Sequence, residues 1–145
     1  VIIQEVLEHL QEPPKALWEV YRVLKPGGTV YAEVPFVYPV HDEHDYYRWT
    51  LKGLKLLMSD FYEIESGVCM GQSSALSVML RNYMSITPSL NIKYLRAFFY
   101  IIFGWLTFPI KYLDVILPQN PNAYRMCAGV YFIGMKKVLP HNSPS

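Results

Sequence analysis

Charged residues are scarce in this chain of 145 residues, where they make up 17% against roughly 25% in a typical soluble domain. Thirteen basic and twelve acidic residues leave a net charge of only +1. Proteins that bind nucleic acid by neutralising phosphates carry a large basic excess, so we expect no nucleic-acid partner. Apolar residues are abundant, and their share of 52% excludes an intrinsically disordered protein.

Cysteine is also rare, since Cys69 and Cys127 are the only two. Two distant cysteines make neither a disulfide framework nor a CxxC metal site, and they fit free thiols in a reducing cytoplasm. The chain begins with the apolar residues 1–3, without Met and without a charged leader segment. We therefore expect no signal peptide, and we expect a protein that has lost its N-terminal part. The polar stretch at 139–145 is predicted to be a disordered tail.

The spacing of apolar residues predicts alternating strands and helices. Residues 1–3 suit the end of a buried parallel strand, and the prolines after Glu12 open a helix that the Lys-Pro-Gly-Gly stretch at 25–28 ends. The segment from Thr29 to Val34 is the next predicted strand. Two parallel strands joined by a helix form the βαβ unit of α/β folds.

The second half of the chain contains two more predicted strands. Thr50 is a suitable N-cap for a second helix, and strands are predicted at 61–69 and 127–137. A long insertion, roughly 71–125, separates these strands. It contains a stretch without any charged residue, at 97–110.

This uncharged stretch admits three interpretations. As a helix it would be about 21 Å long, which is short of the roughly 30 Å hydrocarbon core of a membrane. We therefore expect a hydrophobic lid or a buried helical hairpin. The alternatives are a full membrane span and a contact with the membrane surface, which the flanking Lys93, Arg96 and Lys111 favour.

Three short motifs follow one another near the start of the chain: EVLEHL at 5–10, RVLKPGG at 22–28 and VP at 34–35. In this order and spacing they resemble class I S-adenosylmethionine (SAM)-dependent methyltransferases, in particular methyltransferase type 11-like proteins. The segment 41–50 is similar to the H…DYYRFT motif of a bacterial subgroup that modifies glycans or small molecules.

The resemblance implies a fold of class α/β, a partial Rossmann-like, doubly wound sheet. Four segments would supply strands four to seven of the family's seven-stranded sheet, namely 1–3, 29–34, 61–69 and 127–137. The last strand would be antiparallel, and a hydrophobic helical insertion would lie between the last two strands. One methyltransferase domain would then cover residues 1–138. Strands one to three and the glycine-rich SAM loop have no counterpart here, so we expect a fragment.

The resemblance also implies SAM-dependent methyl transfer to a small-molecule acceptor or to a glycan- or lipid-linked one. Gln4 and Glu5 would contact the cofactor. His9 or His41 would act as general base, because histidine titrates near neutral pH. The candidate acceptor-binding residues, in the loop after the second strand, are Asp45, Tyr46 and Arg48. In an alternative interpretation, Asp45 and Arg48 pair with each other and only order this loop.

Glu5, Glu8 and His9 have the i, i+3, i+4 spacing of one helical face. This pattern also resembles the metal motif of small-RNA 2′-O-methyltransferases and of ubiquinone-pathway O-methyltransferases. Two carboxylates and an imidazole suit Mg²⁺ or Mn²⁺, with His41 or His44 as a further ligand. We favour a pocket without metal over this divalent-metal site. In a third interpretation, Glu8 and His9 only pack and hydrogen-bond at the start of a helix.

Two alternatives to an enzyme come from other classes of protein. The chain would be a non-catalytic, truncated remnant if it lacks a SAM site, or a membrane-peripheral binding module if the stretch at 97–110 contacts lipid. We expect a cytoplasmic protein, associated with a membrane in the last case.

Overall fold

The computed structural model describes residues 1–116 and 121–137. In this part of the chain one sheet is formed by four strands, β1 (Ile2–Gln4), β2 (Thr29–Pro35), β3 (Phe61–Met70) and β4 (Gly129–Lys136). Their order is β1-β2-β4-β3, with β1 parallel to β2 and with β4 antiparallel to β2 and β3. The strands predicted from the sequence are all present, with ends shifted by one or two residues. The predicted α/β class is therefore confirmed.

Two helices accompany these strands, α1 (Pro13–Val23) and α2 (Leu51–Leu57). The two prolines occupy the first turn of α1. Backbone N–H groups in this turn have no acceptor within the helix, so the helix loses no hydrogen bond because proline lacks an N–H. After this helix the chain turns through Gly27, whose φ of 72° favours glycine. The side chain of Thr50 caps α2 by accepting the Gly53 amide at 3.1 Å, as the sequence predicts.

The core lies between the sheet and these two helices. Alternate residues of the two central strands are fully buried, and α1 and α2 cover them with apolar side chains. The principal members are Val30, Val34, Val130 and Phe132 from the sheet, with Leu17, Leu54 and Met58 from the helical layer. Burial of this apolar surface is the main contribution to the stability of the sheet.

A second group of helices lies between β3 and β4 in the chain. It contains α3 (Gln72–Ile86), α4 (Lys93–Thr107) and α5 (Leu113–Ile116), with the 3₁₀ turn Phe108–Tyr112 before α5. We call α3 and α4 the helical hairpin, because they pack against each other with opposite directions. The carboxylate of Asp114 anchors the start of α3 by accepting the amides of Ser73 and Ser74, each at 2.8 Å.

Of the two forms expected for the hydrophobic stretch at 97–110, the buried helical hairpin is wrong, whereas the hydrophobic lid stays a prediction. Trp105 is 76% exposed, Leu106 is 65% exposed and Ile101 is 62% exposed. The reason is that α4 packs chiefly against α3 and the turns beside it, so most of its apolar surface has no partner among the described residues. The helical stretch Lys93–Ile116 is long and apolar enough to cross a membrane by length and composition, and only 6% of its most apolar window is buried.

The predicted tail at 139–145 lies outside the described residues. The prediction of a single domain at 1–138 therefore stays a prediction.

Candidate active site

The candidate site lies at the edge of the sheet where β1 and β2 end. Because these strands are parallel, the segments that follow them, 5–10 and 36–49, meet at the same edge. The amide of Tyr46 donates to the carbonyl of Glu8 at 2.8 Å, and the hydroxyl of Tyr47 donates to the carbonyl of Gln11 at 2.9 Å. Tertiary hydrogen bonds thus join the two sequence-predicted segments.

The predicted helical face of Glu5, Glu8 and His9 is wrong. Glu5 has a φ of 49°, so the chain turns there, and only Leu7–His9 form a short 3₁₀ turn. Among the residues that the structure describes, no group of three His, Cys, Asp or Glu side chains has an arrangement that would hold a metal ion. The divalent-metal alternative therefore has no structural support.

Glu8 is the most unusual acid of this region. Its side chain is fully buried, and neither carboxylate oxygen has a hydrogen-bond partner. Burial raises the pKa of the Glu8 carboxyl above its ordinary value of 4.5. The nitrogen that faces this carboxylate is Nε2 of His9, which lies 3.8 Å from Oε1 and is too distant for a hydrogen bond.

His9 and His41 lie against each other, with ring centroids 5.1 Å apart in an edge-to-face arrangement. Nδ1 of His9 lies 3.1 Å from the carbonyl oxygen of His44. A carbonyl can only accept, so the neutral ring carries its proton on Nδ1. The unprotonated Nε2 then lies on the side of Glu8.

His41 has the geometry of an oriented base. Its Nδ1 lies 3.0 Å from Oδ2 of Asp45, a buried carboxylate that also accepts the His41 amide at 3.1 Å. The proton of the neutral ring is therefore on Nδ1, and Nε2 is left as a proton acceptor. The side chain is 40% exposed, so another molecule can reach it.

Arg48 holds the loop in this conformation. Its guanidinium donates twice to Asp45 and also to the carbonyls of Tyr38, Pro39 and Tyr47. These bonds lower the pKa of Asp45 to about 2. They use all five donors of the guanidinium, so Arg48 would have to break one of them to contact an acceptor.

The remaining candidate residues lie at the surface of the same edge. Tyr46 is 43% exposed, and its hydroxyl lies 3.1 Å from Nδ1 of His44 and accepts Nε2 of Gln11 at 3.4 Å. Gln4 and Glu5 are exposed at the end of β1. Cofactor contact by this pair and acceptor contact by Tyr46 stay predictions.

Sequence reasoning missed a cavity of about 230 Å³ between this loop and the helical hairpin. Tyr38 and His41 line it from the loop, and Arg81, Asn82 and Arg96 line it from the hairpin. The one signal in the sequence that could have indicated this cavity is that Arg81 and Arg96 lie in a segment that is otherwise largely apolar.

Comparison with known proteins agrees with the motifs. Residues 1–32, which include EVLEHL and RVLKPGG, match the family model described as a methyltransferase domain. No curated protein matches the chain. The resemblance to methyltransferases that these motifs predict is thus confirmed over residues 1–32.

Solved structures align with most of this chain. A phosphoethanolamine N-methyltransferase 2 from Haemonchus contortus, in complex with phosphomonomethylethanolamine and S-adenosylhomocysteine, aligns over 95% of this chain and 33% of its own, with 15% identity and a TM-score of 0.51. A coclaurine N-methyltransferase bound to N-methylheliamine and S-adenosylhomocysteine aligns over 93% of this chain and 47% of its own, with 12% identity and a TM-score of 0.47. The [4+2]-cyclase SpnF aligns over 95% and 49%, with 13% identity and a TM-score of 0.47. The chain spans half or less of the length of these proteins.

Proposed function

We propose that the chain contributes the acceptor side of the active site in a SAM-dependent methyltransferase. The match of residues 1–32 to a methyltransferase domain carries the proposal. In the family's strand numbering, the observed order β1-β2-β4-β3 would read four, five, seven, six. The helical hairpin would then be an insertion between strands six and seven.

The residues at the end of β1 fit part of a SAM site. Gln4 and Glu5 offer an exposed amide and an exposed carboxylate, groups that suit the hydroxyl and amino groups of a nucleoside. SAM would supply an electrophilic methyl group on a sulfonium ion. The described residues include no glycine-rich loop between a strand and the helix that follows it, so we assign only part of the cofactor site to them.

His41 is the general base of the proposed reaction. An acceptor hydroxyl would give its proton to Nε2 of His41 while its oxygen forms the new bond to the methyl carbon and the bond from that carbon to sulfur breaks. The buried carboxylate of Asp45 would stabilise the imidazolium that results, and Arg48 keeps this carboxylate in place. The protein otherwise acts by aligning the two reactants.

Methyl transfer from SAM labelled in its methyl group tests this assignment. Because the described residues hold only part of the cofactor site, we would incubate the full-length protein with small-molecule and lipid extracts and measure the label that enters each fraction. His41→Asn should lower the rate about a hundredfold or more, as expected for loss of a general base. His44→Asn is the matched control, because His44 is a neighbouring histidine without a carboxylate partner among the described ion pairs.

Two outcomes would contradict the proposal. Equal rates in the two variants would remove His41 from the mechanism. Absence of both SAM binding, measured by calorimetry, and label transfer would favour the non-catalytic remnant.

We also propose a cytoplasmic protein that acts on a small-molecule or glycan acceptor and contacts membranes through 97–110. The exposed apolar surface of α4 supports the contact, together with the nearby Lys93, Arg96 and Lys111. Sedimentation with vesicles tests it. Binding should be stronger to vesicles with anionic lipid than to neutral ones, and a protein that stays in the supernatant with both would contradict it.

A further inference from the structure

Two cavities of different character adjoin each other on the helical hairpin. The first is the cavity of about 230 Å³ between the hairpin and the 36–49 loop, which we call the polar cavity. The second has a volume of about 340 Å³ and is lined by Ile101, Gly104, Trp105 and Phe108. We call it the apolar groove. Arg81 and Tyr100 line both and therefore connect them.

Arg81 presents an unsatisfied cation at the junction. Its guanidinium carbon lies 4.3 Å from the centroid of the Tyr100 ring, which holds it in place. Its Nε atom is buried and has no hydrogen-bond partner. Within the described ranges neither Arg81 nor Arg96 forms an ion pair. The buried Nε atom is closed to solvent, so an anion would contact the guanidinium where it lines the two cavities and where no described carboxylate neutralises its charge.

The surroundings of Arg81 suit a phosphate group. Arg96, Asn82 and His41 line the same polar cavity, and among the described residues no acidic side chain does. Of the three acids of the loop, Asp42 and Glu43 line a different cavity beside His41 and Arg96, and Asp45 is buried in its pairs with His41 and Arg48. The planar fork of an arginine matches the oxygens of a phosphate, and two arginines in one cavity favour this anion.

The apolar groove suits a hydrocarbon chain. Apart from Arg81 its lining is apolar, and Ile101, Trp105 and Phe108 remain well exposed. Gly104 forms its floor next to the aliphatic stem of Arg81, where a Cβ atom would lie 3.4 Å from Cδ of that arginine. Exposed apolar surface of this kind gains free energy when a chain removes it from water.

We propose that the polar cavity and the apolar groove form one binding site for an amphiphile that carries a phosphate group. The phosphate binds between Arg81 and Arg96, and the hydrocarbon chain lies over Ile101, Gly104 and Trp105. Binding of this molecule does not depend on methyl transfer. Only its further role as the methyl acceptor, with its head close to His41, rests on the proposed function.

Calorimetry in the absence of SAM tests the site, so that its failure is distinct from failure of methyl transfer. The probe is dodecyl phosphate below its micellar concentration. Inorganic phosphate has the same head without a chain, and dodecyl maltoside has the same chain with a neutral head. We expect dodecyl phosphate to bind about tenfold or more tightly than either, because one charge-assisted hydrogen bond contributes at least that factor.

Matched variants assign the two halves of the site. Arg81→Gln combined with Arg96→Gln should weaken dodecyl phosphate binding about tenfold or more, whereas Lys25→Gln combined with Lys52→Gln, two exposed lysines that line neither cavity, should not. Ile101→Gln should weaken it too, because a polar group replaces part of the groove. Its neighbour Ile102 lines neither cavity, so Ile102→Gln is the control.

Each of three results would overturn the proposal. Equal affinity for dodecyl maltoside would mean that the head does not contribute, and equal affinity for inorganic phosphate would mean that the groove does not. Equal effects of the lysine and arginine changes would indicate diffuse charge attraction rather than a built site. The isoleucine variants change exposed positions, so circular dichroism should show an unaltered fold in both.

Discussion

Replacing Arg48 by Gln tests whether one ion pair orders the loop that carries the candidate base. Asp45 is buried, and Arg48 donates to both of its oxygens. The pair lowers the pKa of Asp45 from 3.8 to about 2. A difference of this size corresponds to about 2.4 kcal/mol of stability at full strength. Solvent near the loop screens charges, so we expect Arg48→Gln to cost about 1 to 2 kcal/mol at neutral pH.

The effect should depend on pH in a defined direction. Because folding lowers the pKa of Asp45, its ion pair stabilises the protein above the unfolded value of 3.8. This contribution disappears as the pH falls towards about 2, where the folded carboxyl takes up its proton. The free energy of unfolding of the two proteins should therefore differ most at neutral pH and converge in acid, apart from a constant part due to the three carbonyl bonds of Arg48.

Urea denaturation followed by circular dichroism, at neutral pH and near pH 2, measures this difference. Arg22→Gln is the control, because Arg22 pairs with Glu19 at 2.8 Å but more than half of each side chain is exposed. We expect a smaller loss there. A loss that is the same at both pH values, or the same for Arg22 and Arg48, would refute the reasoning.

Three other substitutions test single features. Glu8→Gln should raise the free energy of unfolding at neutral pH, because burial raises the pKa of the Glu8 carboxyl and its ionisation therefore costs more in the folded protein than in the unfolded one; the gain should vanish in acid, and its persistence there would contradict the assignment. Asp114→Ala should cost about 1 kcal/mol in urea denaturation by removing the cap of Ser73 and Ser74, and an unchanged midpoint would refute that capping role. Thr50→Ala should lower the thermal midpoint through a loss of about 1 kcal/mol, while Thr50→Ser should restore it.

The elements of the sheet could be predicted because their signals are local. Pro13 and Pro14 mark the first turn of α1, Gly27 marks the turn after it, and Thr50 caps α2 with its own side chain. Each signal acts within a few residues of the element that it starts or ends. Strand boundaries followed in the same way from apolar runs between these points.

The geometry of the candidate site depended on contacts that are distant in sequence. The left-handed conformation of Glu5 disagrees with its local pattern, and the hydrogen bond between its amide and the carbonyl of Glu33 is a tertiary one. The pairing of Asp45 with Arg48 was one of two interpretations, because i, i+3 spacing permits it. The contact of His9 with His41 joins two segments, and no periodicity within either segment indicates it.

The exposure of the helical hairpin shows a different limit. An apolar stretch predicts burial only if the fold leaves surface for it to cover. Here α4 packs chiefly against α3 rather than against the sheet, and Trp105 and Ile101 stay exposed. The sequence of α4 contains no information on how much surface its neighbours in the fold offer it.

The position of β4 has a consequence for the order in which the chain folds. This strand is central in the sheet but last in sequence among the described strands, and it pairs Met135 with Thr29, which lies in the first quarter of the chain. Closing so long a loop is slow, and strand pairing of this kind forms late. During synthesis the hairpin emerges from the ribosome before β4 does. The hairpin would therefore be exposed to lipid or to a chaperone while the edge of β2 that later pairs with β4, which includes Val34, is still unpaired.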